Sequence, residues 1–240
     1  MTRQPRYWAV IPAAGAGRRF GGPVPKQYLT LAGRQVIDHS IAAFIEHPLI
    51  AGCVLALSPE DDWWCETAHA EHPAVQRVAG GAERSDSVAN ALAHLAACAD
   101  AQDWVLVHDA ARPCLTRLDL DRLLDALRDE PVGALLAVPL HDTVKTAEDA
   151  FGPRVERTLP RQQLWRAYTP QAFRLGQLRQ ALLQCQSEGL AITDDASAIE
   201  QLGLRPLLVE GRADNIKITR PEDRPLAEFF LEQQREQQLR

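Results

Sequence analysis

Short apolar segments alternate with helix-like segments along most of this 240-residue chain, and this alternation constrains the fold more than any other feature. Between the apolar segments, side chains such as Val88, Leu92 and Leu95 recur at helical spacing. The pattern predicts an α/β fold with one Rossmann-like, mostly parallel, twisted sheet that carries helices on both faces. The predicted strands are residues 7–11, 53–57, 75–78, 104–108, 134–139 and 206–209.

One segment departs from the alternation, and the rest shows neither a linker nor an internal repeat. We therefore predict a single domain over residues 1–240. Polar residues on either side of a turn-like sequence at 150–153 predict a protruding β-hairpin arm within residues 140–163. An isolated two-stranded hairpin is marginally stable in water, so we expect this arm to pair with its copy in a homodimer.

Composition limits the partners. The formal net charge of −6 argues against a general nucleic-acid-binding surface. The five cysteines are far apart and form no Cys-x-x-Cys, which favours a reducing cytoplasm over a zinc site or a disulfide framework. Pro12 interrupts the N-terminal apolar run, and no stretch approaches the length of a membrane span. We expect a soluble, cytoplasmic protein without a nucleic-acid or membrane partner.

A loop of small residues follows the first predicted strand and indicates an anion site. Gly15 and Gly17 lack side chains, so their backbone N–H groups can approach an anion closely. Arg18, Arg19 and Lys26 supply positive charge, and a guanidinium can bind phosphate oxygens in a bidentate manner. The loop is therefore interpreted as a polyphosphate cradle.

This cradle differs from the two common nucleotide-binding loops. A dinucleotide fingerprint would need glycine at Phe20, and a P-loop would need Gly-Lys-Ser/Thr where Pro25, Lys26 and Gln27 stand. A strand-to-helix loop with surface arginines remains the structural alternative.

Other polar groups follow later predicted strands, whose carboxyl ends share one edge of a parallel sheet. Asp109 could give Mg²⁺ an oxygen ligand or could cap a helix. Asp214 and Lys217 could add a second carboxylate and a second lysine to an electrostatic clamp, or could lie in a surface turn. Arg112 is a candidate for binding the substrate phosphate, and His108 is interpreted as a packed, hydrogen-bonded side chain.

The ordered motifs resemble a known family. Pro-Ala-Ala-Gly-x-Gly-x-Arg with a following Pro-Lys-Gln is similar to the signature loop of the sugar-phosphate nucleotidyltransferases. With His-Asp-Ala-Ala-Arg-Pro at 108–113 and Asp-Thr-Val-Lys at 142–145, the resemblance narrows to the cytidylyltransferases that act on 2-C-methyl-D-erythritol 4-phosphate. It implies CMP transfer from CTP to that polyol phosphate, with release of pyrophosphate, in non-mevalonate isoprenoid synthesis.

The same resemblance implies the residue roles. Arg19 and Lys26 would stabilise the transition state, Arg161 and Lys217 would hold the incoming phosphate, and Mg²⁺ would bind Asp109 and Asp214. Thr143 and Arg161 would reach the neighbouring subunit's substrate, and Ala82 would contribute only a backbone contact. The implied substrate-binding residues are Pro12, Ala13, Ala14, Gly15, Gly17, Gly81, Ala82, Ser87, Asp109, Arg112, Thr143, Thr169 and Thr193.

Other functions remain open at this point. A cytidylyltransferase for another polyol phosphate, such as ribitol 5-phosphate, would share most of these residues. A non-catalytic nucleotide-binding regulator would keep the cradle without needing both Lys26 and Arg19. An NAD-dependent oxidoreductase is disfavoured by Phe20.

Overall fold

Eleven strands and six α-helices make up the described part of the computed structural model, which covers residues 3–15, 24–149 and 153–238. The strands are β1 (Tyr7–Pro12), β2 (Thr30–Leu31), β3 (Arg34–Gln35), β4 (Ile50–Leu57), β5 (Val75–Ala79), β6 (Trp104–Val107), β7 (Gly133–Pro139), β8 (Val144–Ala147), β9 (Val155–Leu159), β10 (Trp165–Arg174) and β11 (Leu207–Glu210). The helices are α1 (Val36–Ile45), α2 (Arg84–Leu95), α3 (Arg117–Ala126), α4 (Leu175–Glu188), α5 (Asp195–Gln201) and α6 (Asp223–Gln238).

The central sheet has seven strands in the order β11-β7-β10-β6-β1-β4-β5. Its strands run parallel to one another except β10, which is antiparallel to both β6 and β7. The predicted mostly parallel α/β sheet is confirmed, and each predicted strand overlaps one of the sheet. The carboxyl ends of β1, β6 and β11 therefore lie along the same edge.

The sequence pattern missed β10, which lies in the middle of the sheet. Pro170 interrupts this strand, and proline has no N–H with which to join a ladder. The pairing with β7 accordingly shifts register between Ala167 and Gln171. A segment with this interruption lacks the sequence pattern that predicts a central strand.

Helices cover both faces of the sheet because its buried strands alternate their side chains. Ala9 and Ile11 of β1 pack into one core with Phe44 of α1, together with residues of α3. Trp8 and Val10 point the opposite way, into a second core with α2, α4 and α5. Two buried faces explain why central strands such as β1 and β6 are apolar along most of their length.

Side-chain caps define the starts of two helices. Helix α2 begins after Glu83, whose side chain and that of Asp86 form a capping box. Helix α5 begins after Asp194, which accepts a hydrogen bond from the Ser197 N–H. The glutamine-rich segment near the end of the chain belongs to α6, which continues to Gln238.

Strands β8 and β9 pair with each other in a separate two-stranded antiparallel sheet. Most of its side chains are exposed, including Val155 at 63%. The role of residues 140–163 as a dimerisation arm stays a prediction. Within the described ranges, no helix combines the length and apolar character needed to cross a bilayer. The five cysteines are free thiols.

Candidate active site

Asp109 is the centre of a charged cluster at the carboxyl edge of the sheet. Its Oδ1 accepts a hydrogen bond from Arg84 Nε at 3.1 Å, and its Oδ2 lies 2.9 Å from Lys217 Nζ and 3.2 Å from Arg112 Nε. Burial alone would raise the pKa of this carboxyl, but Arg84, Lys217 and Arg112 together hold the pKa of Asp109 well below its usual value. Asp109 is therefore a carboxylate surrounded by three cations.

Lys26 reaches the same edge from the other end of the chain. It follows Pro25 in a short 3₁₀ turn, and its Nζ donates a hydrogen bond to the Ile218 carbonyl at 2.8 Å, beside Lys217. Gln27 Nε2 donates to the Ala13 carbonyl at 3.0 Å and the Gly15 carbonyl at 3.3 Å. The Pro-Lys-Gln segment thus holds both a lysine and the start of the glycine loop at the cluster.

Part of the predicted cradle lies outside the described residues. That part includes Gly17, Arg18, Arg19 and Phe20. The structure describes the first residues of the loop: Pro12 ends β1, and Ala13, Ala14 and Gly15 follow it.

The second glycine turn packs directly against this loop. Gly80 donates its N–H to the Leu57 carbonyl at 2.6 Å, and a Cβ built on Gly80 would lie only 2.2 Å from the Ala14 Cβ. The buried Ser87 hydroxyl accepts the Gly81 N–H at 3.0 Å and so stabilises the turn, while Ala82 is exposed. Glycine at position 80 is what allows the two predicted substrate-binding loops to meet.

Thr169 of strand β10 is hydrogen-bonded to two residues next to the cluster. The Thr169 hydroxyl accepts the Asp109 N–H at 3.2 Å and lies 3.0 Å from His108 Nδ1. His108 Nε2 lies 3.0 Å from the Arg112 carbonyl, so we assign its proton to Nε2 and the Thr169 proton to the bond with Nδ1. Burial lowers the pKa of His108 to about 4, which keeps it neutral. The interpretation of His108 as a packed side chain fits this arrangement.

Arg112, which the sequence predicts to bind the substrate phosphate, is buried and already paired with other groups of the protein. Its guanidinium donates to Asp109 and to the Asn215 carbonyl at 2.8 Å, and it lies 4.7 Å from the centre of the Tyr168 ring. The residue is 8% exposed. In this arrangement Arg112 balances the charge of Asp109 and ties the segment after β11 to the segment after β6.

Four other predicted site residues do not contact this cluster directly. Thr143 and Arg161 lie at the base of the β8–β9 hairpin, where the Arg161 guanidinium donates to the His141 carbonyl. Thr193 is exposed and donates its N–H to the Ser197 hydroxyl. Both Asp214 oxygens accept hydrogen bonds from the Arg212 guanidinium.

The sequence reasoning missed Arg84 and Asp195. Arg84 bridges Asp109 and Asp195, with its Nη2 2.8 Å from Asp195 Oδ2. Each is the first residue of a helix, Arg84 of α2 and Asp195 of α5. Their local setting carries no sign of the pairing, because the two residues are 111 positions apart.

The resemblance to the nucleotidyltransferases implies a divalent metal, and its two predicted ligands, Asp109 and Asp214, are both paired with cations in the structure. Within those residues, no group of three or more His, Cys, Asp or Glu side chains could hold a metal. A hard cation such as Mg²⁺ does not need such a group, because it commonly binds one or two carboxylates and takes its other ligands from substrate phosphates and water. A metal at Asp109 would require substrate phosphates to take over the contacts of Arg84, Arg112 and Lys217, and a metal at Asp214 would require Arg212 to leave in the same way.

A cationic cluster beside a glycine loop, at the carboxyl edge of a mostly parallel sheet, defines an α/β enzyme class that handles polyphosphates. The family model of 2-C-methyl-D-erythritol 4-phosphate cytidylyltransferase matches residues 7–233. The chain belongs to the 2-C-methyl-D-erythritol 4-phosphate cytidylyltransferase family, a family of nucleotidyltransferases.

Individual relatives agree with this assignment. The enzyme named 2-C-methyl-D-erythritol 4-phosphate cytidylyltransferase of Pseudomonas putida (strain GB-1) is 56% identical over 91% of this chain and 93% of its own length. The crystal structure of the Francisella tularensis enzyme of that name has a TM-score of 0.81 and 35% identity over 94% of this chain and 99% of the other. A crystal structure of 4-diphosphocytidyl-2C-methyl-D-erythritol synthase has a TM-score of 0.81 and 37% identity, covering 95% and 100%.

Proposed function

We propose that this chain transfers CMP from CTP to 2-C-methyl-D-erythritol 4-phosphate, in the non-mevalonate route to isoprenoid precursors. An oxygen of the polyol phosphate attacks the α-phosphorus of CTP, the bond from that phosphorus to the β-phosphate oxygen breaks, and pyrophosphate leaves. The second pKa of a phosphate monoester is near ~6, so the nucleophile is largely dianionic at neutral pH. The reaction therefore needs no general base.

The observation that carries this proposal is the cluster of Lys217, Arg84 and Arg112 around Asp109. Lys26 is hydrogen-bonded to the Ile218 carbonyl, next to Lys217. The reaction brings two polyanions together, so positioning and charge neutralisation are the main tasks of the site. Lys26, with Arg19, would stabilise charge at the α-phosphate and on the leaving pyrophosphate. Lys217, with Arg161, would hold the attacking phosphate in line.

The glycine turn after β5 is the proposed cytosine and ribose pocket. Gly80 of this turn lies against Ala14, and the Ser87 hydroxyl accepts the Gly81 N–H, so a nucleotide whose phosphates occupy the first loop would place its base near Gly81, Ala82 and Ser87. Thr169 holds the Asp109 backbone, and Thr193 is proposed to contact the polyol substrate. In this arrangement Arg112 would act mainly by fixing Asp109.

Mg²⁺ is proposed as the metal, with Asp109 as the protein ligand and phosphate oxygens as the others. When bound, it would neutralise part of the triphosphate charge. The role of Asp109 itself is to present a carboxylate at the strand end, with Lys217 and Arg112 orienting one of its oxygens.

The deciding experiment is a pyrophosphate-release assay that crosses CTP, UTP, ATP and GTP with methylerythritol phosphate and ribitol 5-phosphate. We expect release to require CTP and methylerythritol phosphate. A preference for ribitol 5-phosphate would change the assigned substrate, and nucleotide binding without release for any pair would favour a regulator.

Metal dependence is tested with Asp109→Asn. Turnover should stop in excess EDTA, and the variant should need more Mg²⁺ for its half-maximal rate because one anionic ligand becomes neutral. Removing one partner of a buried ion pair also costs on the order of 3–5 kcal/mol of stability, so the variant's urea midpoint must be measured first. Asp214→Asn, at the other predicted ligand, is the variant for comparison.

The comparison of the two variants decides between the predicted ligands. If Asp214→Asn raises the Mg²⁺ requirement as much as Asp109→Asn does, both carboxylates hold the ion. Undiminished turnover of the unaltered protein in EDTA would remove the metal from the mechanism.

The hairpin of β8 and β9 is proposed as an arm that joins two copies of the chain. Its polar, exposed strands would gain partners by pairing across a two-fold axis. Arg161 and Thr143 at its base would then enter the neighbouring subunit's site, which accounts for their lack of direct contact with the Asp109 cluster in one chain. A cytoplasmic location is proposed as well, in keeping with the free thiols of all five cysteines.

A further inference from the structure

Arg84 connects two carboxylates that belong to distant parts of the chain. It is the first residue of α2, and its guanidinium lies 3.1 Å from Asp109 Oδ1 through Nε and 2.8 Å from Asp195 Oδ2 through Nη2. The Arg84 side chain is 29% exposed, whereas that of Asp195 is 1% exposed. A buried carboxylate is costly unless it is paired, so Asp195 fixes where the guanidinium must lie.

Asp195 is itself held firmly at the start of α5. The Gln171 amide of β10 donates to Asp194 Oδ2 at 2.8 Å and accepts the Ala196 N–H at 2.8 Å. The same strand provides Thr169, which holds the Asp109 backbone. Asp195 and Asp109 are thus both anchored to β10, and Arg84 spans the space between their carboxylates.

We infer that Arg84 is a positioning residue, held by Asp195, that orients the Asp109 carboxylate so that its other oxygen faces Lys217 and Arg112. The inference rests on the proposed function, because Lys217 is the lysine proposed to hold the attacking phosphate. Arg84 acts on the reaction through Asp109, and Asp195 acts through Arg84.

The planar guanidinium is essential to this role. Arginine can donate to two carboxylates at once from fixed directions, whereas a lysine ammonium is a point charge on a flexible stem. If Arg84 merely neutralised charge, lysine would replace it; if Arg84 sets geometry, lysine would fail. The substitution Arg84→Lys therefore separates the two roles.

The experiment measures kcat and KM for CTP in the pyrophosphate-release assay for Arg84→Lys, Arg84→Gln, Asp195→Asn and the double variant Arg84→Lys/Asp195→Asn. We expect Arg84→Lys to lose about 10- to 100-fold in kcat, within about threefold of Arg84→Gln, because small misplacements in a site of this kind have effects of that size. KM for CTP should change by less than about threefold. Asp195→Asn should also lower kcat, and the double variant should lose less than the product of the single losses.

Arg128→Lys and Asp125→Asn, which alter an exposed ion pair on the surface of the protein, are the matched controls and should keep normal turnover. Urea midpoints identify any variant that fails to fold. If Asp195→Asn does not fold, the comparison of Arg84→Lys with Arg84→Gln decides alone, since Arg84 is only partly buried. Near-normal kcat in Arg84→Lys, or multiplicative losses in the double variant, would overturn the inference. No turnover in the unaltered protein would instead refute the proposed function, and the inference with it.

Discussion

Lys26→Ala is expected to lower kcat by about 10²–10³ while weakening CTP binding far less, the usual effect of losing one preorganised donor to developing charge. Pro25 precedes the lysine, its ammonium is hydrogen-bonded to the Ile218 carbonyl, and Gln27 ties the same turn to the glycine loop. The side chain is therefore held in place before substrate arrives, and its charge is most useful when negative charge moves towards the leaving pyrophosphate.

The measurement is kcat from pyrophosphate release together with the CTP dissociation constant from calorimetry. Arg128→Ala is a suitable control because it removes a cation whose side chain is 70% exposed and which has no part in the proposed site. Equal losses in binding and turnover would mean that Lys26 binds ground state and transition state alike. Near-normal turnover would show that the cradle is not catalytic.

Mixing two inactive variants is expected to restore roughly a quarter of the unaltered activity if Arg161 acts across a dimer interface. The variants are Lys26→Ala and Arg161→Ala, co-expressed in equal amounts. In a heterodimer, one site would carry both lesions and the other would carry neither. Random pairing makes half of the dimers heterodimers, each with one intact site of two.

The structure motivates this test because Arg161 does not contact Asp109 or Lys217 in its own chain. Its guanidinium instead donates to the His141 carbonyl at the base of the hairpin. If Arg161 serves its own chain, every site in the mixture carries one lesion and no activity returns. Light scattering of each preparation confirms the oligomeric state, and differently tagged chains confirm that heterodimers form. A null result from verified heterodimers would exclude the arm acting in trans.

Much of the site was predictable because it depends on local patterns. An apolar strand followed by small, polar or charged residues is visible in the sequence at Pro12, Asp109 and Glu210. Once the strands are taken as parallel, their carboxyl ends must share an edge, and this brings the glycine loop, Asp109 and Lys217 together. The resemblance of the motifs then indicated the chemistry at that edge.

Strand β10 and the pair of Arg84 and Asp195 could not be predicted, for physical reasons. Strand β10 was missed because Pro170 and a register shift remove the regular pattern of a strand, although its neighbours β6 and β7 hold it in the centre of the sheet. Arg84 and Asp195 were missed because each looks locally like a helix start. Their pairing depends on where β10 holds the start of α5 relative to the start of α2, and sequence spacing does not report that.

The sequence by itself determined the fold class and which loops carry the chemistry. Strands buried on both faces are apolar, and loops that approach phosphates need small residues, so both leave local patterns in the sequence. The tertiary structure alone decided which charged side chains lie next to one another in the site. Asp109 proved to be surrounded by Arg84, Arg112 and Lys217, rather than standing as a bare carboxylate awaiting a metal. Charges interact according to distance and burial, and those are settled only when β1, β6, β10 and β11 take their places in one sheet.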